Sequence, residues 1–113
     1  MVAIKKMPNT TRKQKSSNLH EVSVLNACNH PNIVKFYTCH EVKDELWIAM
    51  EYLEGGTFEE AAKAWNFNEA NLAYVARELL KGISYLHANQ LAHRDLKSAN
   101  IMMSIQGQVK LSM

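Results

Sequence analysis

The string "HRDLKSAN" at positions 93–100 sets an acid, two cations and an amide at fixed spacing. That combination suits phosphoryl transfer, which needs aligned groups and neutralised charge more than covalent help. Asp95 can accept the hydroxyl proton of an attacking alcohol and orient its oxygen. Lys97 can hold an ammonium against the moving phosphoryl. Asn100, five residues after the acid, offers a neutral amide oxygen to a magnesium ion. An ordinary polar loop is the competing explanation. Five residue types at this spacing arise by chance in such a chain on the order of once in ten thousand or more rarely.

Groups of this kind must be held by regular elements. "MVAIKKM" is β-branched and reads as a strand, and "PNTTRKQKSS" reads as a polar loop after it. Over residues 17–27, Leu19, Val22 and Leu25 recur at near-helical spacing, with Ser16 or Ser17 as N-cap, until "NHPN" breaks the pattern. "IVKFYTCHEV" and "ELWIAMEYL" form a predicted hairpin about Lys43-Asp44. Gly55-Gly56 turns the chain, and Thr57 and Glu60 make a capping box for a short helix to about Trp65.

The clearest helix spans residues 69–87, with Asn68 as N-cap and Phe67 and Leu72 as a hydrophobic staple. Its expected buried stripe is Leu72, Val75, Ala76, Leu79, Ile83 and Leu86. After the polar loop, "IMM" and "VKLS" read as short strands around Gln106-Gly107. Strands early and helix late indicate an α+β chain in two parts.

Composition narrows the partners. A chain of 113 residues suits one domain with a modest core, and its net charge is only +2. "RKQK" at residues 12–15 is a small basic knot without interleaved aromatics, so no nucleic-acid partner is expected. Cys28 and Cys39 form no paired-cysteine motif, no leader pattern opens the sequence, and no apolar run suits a membrane span; a reduced, cytoplasmic setting is expected. Asn9-Thr10-Thr11 formally matches a glycosylation acceptor.

The polar loop makes the chain resemble the eukaryotic protein kinase family, and its Lys97 resembles the serine/threonine branch. "VAIK" at 2–5, "HPNIV" at 30–34 and "LWIAMEYLEGG" at 46–56 follow in the family's order. Together they look most like Sterile-20-like, PAK-type enzymes. The resemblance implies an α+β, partial protein-kinase-like fold. Residues 1–53 would be an incomplete antiparallel β N-lobe and the start of the hinge. Residues 54–113 would hold the end of the hinge, two helices, the catalytic loop and a β-hairpin.

The resemblance also implies roles. Lys5 would grip the α- and β-phosphates of ATP, and Glu21 would pair with it. Met50 would guard the back of the adenine pocket. The Glu51 carbonyl and Leu53 amide would bond the adenine edge, with Ala3 and Met102 as ceiling and floor. By residue type alone, Lys5 is better read as an edge-strand lysine, and Ala3 and Met102 as plain core. His93, Leu25 and Phe36 resemble a stacked column joining the lobes, with His93 structural rather than a base. Arg94 resembles the arginine that meets a phosphorylated activation loop.

The sequence also departs from the pattern. No Gly-rich loop precedes Val2, no Asp-Phe-Gly follows "VKLS", and Met113 stands at the metal-binding aspartate's place. A thioether is soft and uncharged, whereas magnesium takes hard oxygens. The expectation is a truncated protein serine/threonine kinase domain, weakly active or inactive alone. The alternative is a kinase-derived, pseudokinase-like binding or regulatory module. Expected partners are ATP, a protein bearing serine or threonine, and a protein covering the apolar faces of "VAI" and of the 69–87 helix.

Overall fold

The structure is a computed structural model that describes residues 1–91, 93 and 96–112. Two compact units emerge: Met1–Asn29 with Lys35–Tyr52, and His30–Val34 with Leu53–Met113. The short segment His30–Val34 therefore belongs with residues that follow it by nineteen positions or more.

In the first unit, β1 (Val2–Pro8), β2 (Phe36–Val42) and β3 (Glu45–Glu51) form an antiparallel sheet in the order β1-β3-β2. Strand alternation sorts β1: Ala3, Lys5 and Met7 are half-buried while Val2, Ile4 and Lys6 are exposed. Their partners on β3 are Met50, Ile48 and Leu46, of which Ile48 and Leu46 are buried. Lys43, at φ 55, closes the β2–β3 hairpin.

Helix α1 spans Arg12–Ala27 and so begins well before the serines expected to cap it. The N-cap is Thr11. Its hydroxyl accepts from the Gln14 N–H at 3.0 Å, and the Gln14 carboxamide oxygen accepts from the Thr11 N–H at 3.2 Å. This reciprocal box satisfies orphan donors and starts the helix inside the stretch read as a polar loop. Asn18, buried on α1, donates to the Pro8 carbonyl at 2.9 Å and to Asn9 Oδ1 at 3.0 Å. Asn9 is itself buried, which sets it against the formal glycosylation match.

The second unit holds α2 (Phe58–Ala64), α3 (Glu69–Ala88), a 3₁₀ turn at Ser98–Asn100, β4 (Ile101–Met103) and β5 (Val109–Leu111). Thr57 and Glu60 form the expected capping box, and Asn68 caps α3 with Asn71 as its reciprocal partner. Strands β4 and β5 pair antiparallel, and residues 32–34 add alongside: the Leu111 N–H donates to the Asn32 carbonyl at 2.8 Å and the Val34 N–H to the Leu111 carbonyl at 2.9 Å. Ile33, Val75, Leu86, Ile101, Val109 and Leu111 are buried in this unit's core.

The buried face of α3 is Val75, Gly82 and Leu86, with Leu79 and Ile83 half-buried. Leu72 and Ala76, expected inside, are exposed. The cause is a close approach: a Cβ at Gly82 would lie 3.0 Å from the Asn32 carbonyl oxygen and 3.3 Å from Leu111 Cδ1. The helix turns this bare position toward β5 and residues 30–34, leaving Leu72 and Ala76 on its flank. The expected staple does not bury Leu72 either; the Phe67 ring lies 5.2 Å from that of Phe58. No helix among the described residues is long and apolar enough to cross a membrane.

Candidate functional site

Alternation on β1 places Lys5 on the same half-buried face as Ala3, and the register sets Ala3 opposite Met50. Asn18 fixes α1 to the end of β1, and Glu21 follows one turn later. The Lys5 Nζ and Glu21 Oε1 meet at 2.8 Å, with side chains 39% and 31% exposed. A pair this wet contributes only about 0–1 kcal/mol to stability, so its consequence is to aim the ammonium. At the end of β3, the Glu51 N–H donates to the Lys35 carbonyl at 2.8 Å and the Lys35 N–H donates to the Glu51 carboxylate at 3.1 Å. Leu25 is buried and Phe36 half-buried.

The other described candidates, Leu53, Lys97, Asn100 and Met102, lie in the second unit. Leu53 is buried, and its carbonyl accepts from the Gly56 N–H at 3.2 Å. The 3₁₀ turn is closed by the Asn100 N–H donating to the Lys97 carbonyl at 2.9 Å. Met102, on β4, pairs with Lys110 and bridges to Thr57.

Ser112 is held from two directions. Its N–H donates to the Asn100 carbonyl at 2.8 Å, and its carbonyl meets His93 Nε2 at 2.7 Å. A carbonyl only accepts, so His93 carries a proton on Nε2 there and acts as a structural donor. Asp95, Arg94 and Met113 lie outside the described residues.

Asn32 was legible in the sequence only as part of "HPNIV", yet it organises this end of the unit. Its side-chain amide donates to the Val109 carbonyl at 2.9 Å and to Glu78 Oε2 at 3.0 Å. The Asn32 bond, reinforced by Lys81, holds the Glu78 carboxyl below the usual carboxylate range. Asn32 thus ties α3 and residues 30–34 to the strand that leads into Ser112.

Among the described residues no group of three or more His, Cys, Asp or Glu side chains could hold a metal ion. Asn100 supplies one neutral oxygen, while magnesium sites use one or two carboxylates beside substrate phosphates. The described donor set does not fit a protein-held magnesium ion. Lys5, by contrast, suits a phosphate: a part-exposed ammonium aimed by Glu21, on the face that carries Ala3 and Met50.

Comparison with known proteins gives the family of the chain. The model of the protein kinase domain matches residues 1–112. Probable serine/threonine-protein kinase mkcB of Dictyostelium discoideum is 67% identical over 112 residues, covering 98% of this chain and 16% of the relative. Serine/threonine-protein kinase pak-2 of Caenorhabditis elegans is 38% identical over 112 residues, 99% of this chain and 22% of the relative. Serine/threonine-protein kinase PAK mbt of Drosophila melanogaster is 40% identical over 111 residues, 98% and 17% respectively. The chain belongs to the protein kinase domain family, with relatives of the serine/threonine type that include PAK-type enzymes. It spans about a sixth of the length of the mkcB relative it matches.

Proposed function

We propose that this chain carries part of the machinery of an ATP-dependent protein serine/threonine kinase. The observation that carries the reading is the 2.8 Å contact between Lys5 and Glu21, residues sixteen positions apart whose pairing the family resemblance implies. ATP, when bound, supplies the γ-phosphoryl group that is transferred to a protein serine or threonine hydroxyl.

The chain's residues then take these parts. Lys5, aimed by Glu21, neutralises charge on the α- and β-phosphates. Ala3 and Met50 of the first unit and Met102 of the second are the apolar residues assigned to the adenine, and the Glu51 carbonyl and the Leu53 N–H are the groups that would bond its edge. Asp95 accepts the substrate hydroxyl proton, and Lys97 faces the transferring group. Asn100 is the residue that would offer oxygen to magnesium. The hydrogen bonds of Ser112 to Asn100 and His93 support this part by fixing the turn that presents the amide.

With so few hard oxygens, turnover by this chain alone is slow. Two free cysteines favour the reducing cytoplasm. Exposed Val2, Ile4, Leu72 and Leu80 favour a protein partner over these faces. The basic knot lies on α1 beside Thr11 and Gln14 without an aromatic platform, which disfavours nucleic acid.

Labelling with an acyl-phosphate derivative of ATP tests the assignment. Lys5 acylates preferentially, excess ATP suppresses it, and Glu21→Gln weakens the suppression. Labelling spread evenly over surface lysines, indifferent to ATP, would refute the reading.

A further inference from the structure

The turn of α1 before Glu21 carries a second feature. Arg12, Lys13 and Lys15 precede two exposed serines, Ser16 and Ser17. The first turn of the helix holds no acidic residue, so its cations oppose the helix dipole. Of the sixteen residues of α1, only Asn18 and Leu25 are buried. The Thr11–Gln14 box and buried Asn18 hold this end of the helix, and Ser16 and Ser17 lie exposed between them. Ser17 differs from Ser16 in what it faces. Helical spacing sets Ser17 one turn from Lys13 on one side and one turn from Glu21 on the other. Ser16 is spaced one turn from Arg12 and His20 and from no acid.

We propose that Ser17 is a phosphorylation site for a basophilic protein kinase, and that its phosphate opposes the Lys5–Glu21 ion pair. The acting kinase reads Arg12, Lys13 and Lys15, all on the N-terminal side of the acceptor. Ser17 Oγ bonds to the γ-phosphorus of ATP and the bond to the β,γ-bridging oxygen breaks. ADP departs with the electron pair, and the serine proton passes to the acting kinase's base. The product carries about −1.5 to −2 charge one turn before the Glu21 carboxylate. Like charges at this spacing repel, and the phosphate competes with Glu21 for the Lys5 ammonium 2.8 Å away from it. Lys13, at the preceding turn, retains the phosphate.

The regulatory meaning rests on the phosphate role of Lys5 proposed above. The experiment reads the modification and the ion pair without nucleotide, so the two readings fail separately. The 113-residue chain is incubated with a basophilic kinase and ATP and mapped by mass spectrometry, together with Ser16→Ala and Ser17→Ala. Phosphate on Ser17, kept in Ser16→Ala and lost in Ser17→Ala, is expected; its absence from Ser17 overturns the proposal. Helical ellipticity and unfolding midpoint are then compared with and without the Ser17 phosphate. Both fall in the native sequence, and the fall disappears or reverses in Glu21→Gln. An equal fall in both backgrounds would show that the phosphate does not act on the pair.

Discussion

Replacing Asn32 with alanine removes two side-chain hydrogen bonds at once, and the two differ in kind. The bond to the Val109 carbonyl, 2.9 Å long, lies where Val109 is 1% exposed. Without it a buried acceptor loses its partner, a loss of about 1–3 kcal/mol. The bond to Glu78 is charge-assisted and depends on pH, because it helps hold that carboxyl below the usual range. A depressed carboxylate stabilises the fold above its unfolded pKa, and that contribution disappears as pH falls through the folded value. Urea titrations at neutral pH and at successively more acidic pH measure both parts. Asn32→Ala is less stable throughout, and the gap from the native sequence narrows as pH falls below the ordinary glutamate range. A loss at neutral pH under about 0.5 kcal/mol would refute the role given to the Val109 bond. A gap independent of pH would refute the part given to Glu78.

Other outcomes follow from the same geometry. In Gly55→Ala the new Cβ would lie 2.5 Å from the Met103 carbonyl oxygen, a backbone atom, so a loss of about 3 kcal/mol is expected in denaturant titration. A double-mutant cycle of Lys5→Met and Glu21→Gln gives a coupling below about 1 kcal/mol in unfolding, while Lys5→Met abolishes the labelling proposed for Lys5 and Glu21→Gln weakens its suppression by ATP. Burial pushes the Cys28 thiol up, so iodoacetamide modifies Cys28 more slowly in the folded chain than in urea. Assayed with Mg-ATP and a general protein substrate, the chain turns over far below the 1–100 s⁻¹ typical of kinases, because the described residues offer no cluster of carboxylates for magnesium.

Local signals in the sequence were enough for the features that depend on neighbours. The Thr57–Glu60 box, the Asn68 cap, the Lys43-Asp44 hairpin and the strand over "MVAIKKM" each involve residues a few positions apart. The Thr11–Gln14 box was equally local, but the serines nearer the apolar repeats drew the helix start too late. The order of "VAIK", "HPNIV" and "HRDLKSAN" was sufficient to indicate the kinase family, now shown by the match over residues 1–112. Tertiary structure decided the rest. Which stripe of α3 is buried depends on Gly82 meeting the Asn32 carbonyl, fifty positions away in the chain. The distance between Lys5 and Glu21, and the grip of Asn32 on Val109, are set by packing between elements whose separation periodicity does not encode. Hydrophobic pattern tells a helix that it must bury a face, but only the shape of the neighbour selects which one.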